Sequence, residues 1–178
     1  GERIEWVGRA GDGQVVRVDG ARRELFSEFG QRHRAAVINL IPPQKAGLIA
    51  ERAGLTDASG WVPIVPSSFQ ARENPYVYVA GDACIAAPMP KSAYSANAQA
   101  KVAVAALLAD LAGIEAPAPA WRNTCYSLLA PGQAVSIAAD YAVLAQRLIE
   151  LPDSLTLSPL DAPVSVRAQE AALAEAWY

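Results

Sequence analysis

The side chains best suited to redox or nucleophilic chemistry in this sequence are its two thiols, Cys84 and Cys125. Cys125 stands in Asn123-Thr124-Cys125-Tyr126-Ser127, a stretch expected to be irregular after a proline-rich segment. A thiolate nucleophile or redox cysteine suits such a position. A small buried hydrophobe is the commoner fate of a free cysteine. Cys84 reads as structural, and the spacing also permits a Cys84–Cys125 disulfide. Asp82 is the second feature, because Gly81-Asp82 follows the strand-like run Tyr76 to Ala80. A carboxylate at the carboxyl end of a buried strand faces the ligand crevice of an open α/β sheet and accepts hydrogen bonds from sugar or sugar-alcohol hydroxyls. Taken alone, Gly-Asp after a strand is an ordinary turn. The third feature is Met89-Pro90-Lys91-Ser92. A lysine just before a helix opposes the helix dipole, so it is either retained for a ligand or solvated on a loop. The helix end itself favours negative charge on a bound group.

The elements that must position these residues follow from pattern. Ile4 to Val7 and Val15 to Val18 read as strands joined through the glycines of 8–13, and Leu25 to Phe29 as a third. Ala35 to Ile41 is nearly continuous apolar sequence, as in a strand buried on both faces of a parallel sheet. Pro42-Pro43 ends it, and a short helix over 44–53 follows with Gly54 as its left-handed cap and Leu55 as the hydrophobic contact. Trp61 to Val65 is an extended edge interrupted by Pro63. Ser92 caps a long alanine-rich helix that closes at Gly113. Residues 115–120 form a stiff polyproline-like linker. Beyond it, Ala134 to Ala139 reads as a strand, 152–163 as loop and Ala168 to Trp177 as a closing helix.

Composition narrows the function. Of 178 residues, 52% are hydrophobic and 19% charged, which excludes a disordered chain and a coiled coil. Fifteen basic residues against 18 acidic ones argue against nucleic-acid binding. Two cysteines exclude a disulfide scaffold and a four-cysteine zinc site. The single histidine, His33 between Arg32 and Arg34, reads as a surface residue and argues against a multi-histidine metal site or a Ser-His-Asp triad. Gly11-Asp12-Gly13 has two of the three glycines of a dinucleotide fingerprint and lies in a hairpin, so it is discarded. Trp61, Trp121 and Trp177 read as packing anchors. The longest apolar stretch, Val102 to Leu108, is too short to span a membrane. The closing helix, with Leu173, Trp177 and Tyr178, is acidic and lacks the basic face of a membrane-docking helix. The chain opens Gly1-Glu2-Arg3-Ile4 with neither Met nor leader and reads as a piece of something longer.

These strings occur together and in order, and the sequence resembles the carboxyl-terminal half of the flavoprotein subunit of flavocytochrome c sulfide dehydrogenase, within the glutathione-reductase-like flavoproteins. The resemblance rests on Ile41-Pro42-Pro43-Gln44-Lys45-Ala46-Gly47, Ala53-Gly54-Leu55 with Gly60-Trp61, and Gly81-Asp82-Ala83-Cys84-Ile85-Ala86. It continues through Met89-Pro90-Lys91-Ser92-Ala93-Tyr94-Ser95-Ala96-Asn97 and Asn123-Thr124-Cys125-Tyr126-Ser127.

It implies a mixed α/β and α+β chain, the C-terminal part of a flavoprotein with two dinucleotide-binding domains and a small α+β interface domain. Residues 1–57 would be the tail of the inserted NAD(P)-type domain, 58–113 the return into the FAD domain, and 114–178 the interface domain. Cys125 would be one of two redox cysteines over the flavin. Gly81, Asp82, Met89, Pro90, Lys91, Tyr94 and Pro42 would contact FAD, with Asp82 on the ribityl chain. In the family, sulfide attacks a cysteine pair to give a persulfide, and two electrons pass through FAD to haem in a c-type cytochrome partner. The glycine-rich turn for the FAD diphosphate, the covalent-attachment cysteine and the second redox cysteine are not in this sequence. The chain would thus hold half a flavin site and be inactive alone. The resemblance also implies a periplasmic location. Two other readings stand beside it: a sulfide:quinone oxidoreductase-like flavoprotein, and a non-catalytic module that docks a cytochrome or self-associates.

Overall fold

The computed structural model describes residues 4–159 and 161–176. Gly1-Glu2-Arg3, Leu160, Trp177 and Tyr178 lie outside the described residues, and with them the expected Trp177 anchor. Two compact units divide the chain, residues 1–44 and 45–178.

The first unit is a three-stranded antiparallel meander of β1 (Val15–Asp19), β2 (Glu24–Ser27) and β3 (Arg32–Arg34). The Arg17 guanidinium lies 3.3 Å over the Phe26 ring. His33 is exposed on β3, as expected. Two expected strands do not form. Ile4 to Val7 is irregular, and Arg9–Gly11 is a 3-10 turn instead of a hairpin loop. Buried Asp12 organises that turn: its carboxylate accepts from Ser27 Oγ and from the Phe29 N–H at 2.8 Å. Ala35 to Ile41 is likewise no strand, and Val37 is 83% exposed. The sheet ends at β3 without offering it a neighbour, and an apolar run without a partner strand gains no ladder.

The second unit holds α1 (Leu48–Arg52), a β4–β5 hairpin (Gln70–Ala71 and Asn74–Tyr78), α2 (Ala93–Ala112), β6 (Ala120–Ala130), β7 (Gln133–Leu144), β8 (Arg147–Glu150), β9 (Thr156–Leu157) and α3 (Val164–Glu175). β6, β7 and β8 form an antiparallel meander, with β9 also pairing β7. The class is α+β. Among the described residues the strands pair antiparallel, and the parallel contact is the isolated bridge Val62–Cys84, so the expected parallel sheet is not formed. Two helix ends match expectation, Gly54 and Gly113, both at positive φ. α1 is shorter than the expected 44–53 because Gly47 is still extended.

The core gathers Val62, Ile64, Phe69, Cys84, Met89, Trp121 and Tyr141. Phe69 meets Trp121 edge-on at 5.8 Å and 73°, a geometry that adds about 0.5–1.5 kcal/mol beyond burial. α2 packs Ser95, Gln99, Ala103, Ala106 and Ala109 inward. Its other side carries Val104, Leu108 and Leu111, the last 76% exposed. A helix apolar on both sides is suited to burial on both sides. No described helix is long and apolar enough to cross a membrane.

Candidate functional site

Three elements of the second unit converge on one region: the turn after β5, the start of α2 and the middle of β6. Gly81–Ala83 is a 3-10 turn. Gly81 takes φ +74, and a Cβ there would lie 3.3 Å from that of Ala96, so the residue allows both the turn and the close approach of α2. Its N–H donates to Gln99 Oε1 at 2.7 Å. Gln99 Nε2 in turn donates to buried Met89 Sδ at 3.1 Å. The Asp82 carboxylate is exposed and, among the described residues, makes no hydrogen bond or salt bridge.

Lys91 is exposed but engaged by its neighbours. Its ammonium donates to the carbonyls of Asp82 and, at 3.1 Å, Cys84, and lies 3.9 Å over the Trp61 ring. These contacts fasten the 81–84 turn and Trp61 to the segment that leads into α2. Trp61 therefore does more than pack. Cys84 is 1% exposed; its S–H donates to Gly81 O at 3.2 Å, and burial pushes its thiol up to about 11. Both cysteines are free, so the Cys84–Cys125 disulfide is not formed.

Ser92 is the N-cap of α2, accepting the Ser95 N–H at 3.1 Å. Its hydroxyl donates to Asn123 Oδ1 at 2.6 Å, and Ser95 Oγ donates to the same atom at 2.9 Å. Asn123 Nδ2 donates to Cys125 Sγ at 3.3 Å. The segment expected to be irregular is thus the middle of β6, with Asn123 opposite Ala139 and Cys125 opposite Ile137. Asparagine disfavours strands through its side-chain hydrogen bonding, but here that amide is satisfied by α2 and by sulfur.

Half-buried Cys125 lines two clefts. One, of about 280 Å³, is shared with Lys91, Ser92, Tyr94 and Tyr126. The other, of about 230 Å³, is shared with Pro88, Pro90, Tyr141, Glu150 and Leu155. Burial, then Glu150, then the Cys125 sulfur raise the Tyr141 phenol; burial, then Glu170, then Tyr94 raise that of Tyr126. Gly81, Met89, Pro90, Lys91 and Ser92 line a third cleft of about 210 Å³ with Trp61 and Cys84. The structure therefore gathers Gly81, Asp82, Met89, Pro90, Lys91, Tyr94 and Cys125 around the start of α2. Pro42 is exposed in the first unit.

Residues 117–178 match the family model described as flavocytochrome c sulphide dehydrogenase, flavin-binding. The match covers about a third of the chain, its C-terminal part. The matched segment contains Asn123, Cys125, Tyr126 and the β6–β9 sheet. The Gly81–Tyr94 residues precede the matched segment. Among solved structures, the chain is similar to a chain of the Tetrahymena thermophila mitochondrial ATP synthase F1Fo composite tetramer, at 16% identity and a TM-score of 0.61. That match covers 88% of this chain and 37% of the other, and the likeness is one of fold.

A flavin needs hydrogen-bond acceptors for its polyol and an anion-favouring group by its ring. The unpaired Asp82 carboxylate and the positive end of α2 fit those two needs. Sequence reasoning assigned no role to Asn123 or Gln99. Two signals bear on them: Asn123 and Cys125, two apart, share a face once the segment is a strand, and Ser92, Ser95 and Gln99 recur at helical spacing.

Proposed function

We propose that this chain is the redox-cysteine half of a flavin-dependent sulfide dehydrogenase. The observation that carries the reading is Cys125. It lies inside the matched flavin-binding domain, half-buried in a cleft with Lys91 and Ser92, beside the N-terminus of α2. Asp82, Met89, Pro90, Lys91 and Tyr94 would hold the ring and polyol end of FAD, with Gly81 shaping the turn. FAD, when bound, supplies a two-electron acceptor that can pass electrons on singly. Cys125 would form a disulfide with a partner cysteine supplied from outside this sequence; sulfide attacks that disulfide, its S–S bond breaks, one cysteine keeps the added sulfur as a persulfide and the other leaves as a thiolate. A c-type cytochrome carrying haem is the acceptor, and the protein works in the periplasm.

The domain reading is 1–57 inserted-domain tail, 58–113 FAD domain and 114–178 interface domain. The N-terminal half of a longer chain would supply the diphosphate-binding turn and cover the Val104–Leu108–Leu111 face of α2. Without it, that face favours self-association. The quinone-acceptor alternative has no specific observation in its favour.

The test is an absorbance spectrum of the purified 178-residue chain with and without FAD, beside that of the complete flavoprotein. The expected result is no retained flavin in the 178-residue chain, and a flavin band in the complete protein that sulfide bleaches. A complete protein that binds no flavin, or whose flavin sulfide leaves oxidised, overturns the reading.

A further inference from the structure

We infer that Asn123 is a positioning residue, whose buried amide ties the Cys125 sulfur to the N-cap of α2. The inference rests on the reading of Cys125 as the reactive sulfur. Asn123 is 3% exposed, and both ends of its amide are committed. Two serine hydroxyls donate to Oδ1, at 2.6 and 2.9 Å, which leaves Nδ2 facing the sulfur at 3.3 Å. Every donor in this chain of bonds points the same way. The Ser95 N–H donates to Ser92 Oγ, the Ser92 hydroxyl to Asn123 Oδ1, and the Asn123 amide to Sγ.

Aligned bonds polarise one another, and this series begins at the positive end of a 20-residue helix. It therefore presents its donor end to sulfur, the arrangement that favours negative charge there. It also ties down the sulfur of a residue that lines both clefts.

Other ionisable groups face the same sulfur. Lys91, Tyr94 and Tyr126 line the cleft on the α2 side, and Tyr141 and Glu150 line the one on the sheet side. Lys91 is already engaged by two carbonyls and the Trp61 ring. Asn123 donates directly to Sγ.

The test needs no flavin. Alkylation of Cys125 by iodoacetamide is followed in the 178-residue chain by peptide mapping, across a range of pH. Asn123→Asp keeps an acceptor for both serines and replaces the donor to sulfur by an anionic oxygen. It slows alkylation about tenfold near pH 8 and moves the rate profile to higher pH. Asn123→Ala moves it the same way by less. Ser127→Ala, outside the network, leaves the rate at that of the parent. If the alanine variant fails to fold, leaving two hydroxyls unpaired, the aspartate variant decides alone.

A folded Asn123→Asp chain alkylated at the parent rate, with an unmoved profile, overturns the inference. That outcome leaves the flavin reading standing. Conversely, a complete protein whose flavin ignores sulfide overturns the flavin reading and leaves the alkylation contrast intact.

Discussion

Burial of Cys84 makes the stability of this protein fall at alkaline pH by an amount the structure sets. The thiol is 1% exposed in the core and is pushed from 9.0 up to about 11, chiefly by burial, with Lys91 opposing. A folded-state value above the unfolded one means that the native chain holds the proton more tightly. The resulting stability is fully present below about pH 9 and is lost as pH rises to about 11. A tenfold difference in proton affinity is worth about 1.4 kcal/mol, so the loss is about 1 kcal/mol by pH 10 and about 3 kcal/mol when complete. Urea unfolding of the parent and of Cys84→Ala, under reducing conditions from pH 7 to the highest pH at which both refold, measures it. Tyr126 and Tyr141, also raised, weaken both proteins alike and cancel in the difference. The stability difference between the two proteins therefore shrinks with rising pH along that curve. A difference that stays constant would refute the assignment of Cys84 as a buried, neutral, structural thiol.

Two further outcomes are expected. Asp82→Ala in the complete protein lowers the flavin retained through purification, because the exposed carboxylate on the 81–83 turn makes no hydrogen bond or salt bridge among the described residues and is available to the cofactor; equal flavin-to-protein ratios in variant and parent would refute this. Ser92→Ala removes the N-cap of α2 and the donor to Asn123, lowering urea-unfolding stability by about 1–2 kcal/mol; a change below a few tenths would refute the cap.

The long α2 was legible because its signals are local: a serine cap, an apolar helical body and a glycine stop. Cys84 as a structural thiol and His33 as a surface residue were legible from their immediate neighbours. The segment around Cys125 was not, because Asn123 argues locally against a strand, while β7, Ser92 and Ser95 supply order from 8 to 31 residues away. Ala35 to Ile41 fails for the converse reason. Its composition is that of a buried strand, but pairing depends on a neighbour that the first unit does not provide. The cluster of Gly81, Asp82 and Lys91 was legible as a set, though not the reason Lys91 tolerates its place. That depends on carbonyls of residues 82 and 84 and on the Trp61 ring, contacts that spacing does not encode.

The proposed function makes Cys125 the sulfur through which electrons from sulfide reach the flavin. An anaerobic sulfide titration of the flavin-loaded complete protein, parent beside Cys125→Ser, tests that role most directly. The flavin band is expected to bleach in the parent and to persist in the variant, with equal flavin bound to both. Equal bleaching in the two proteins would contradict it.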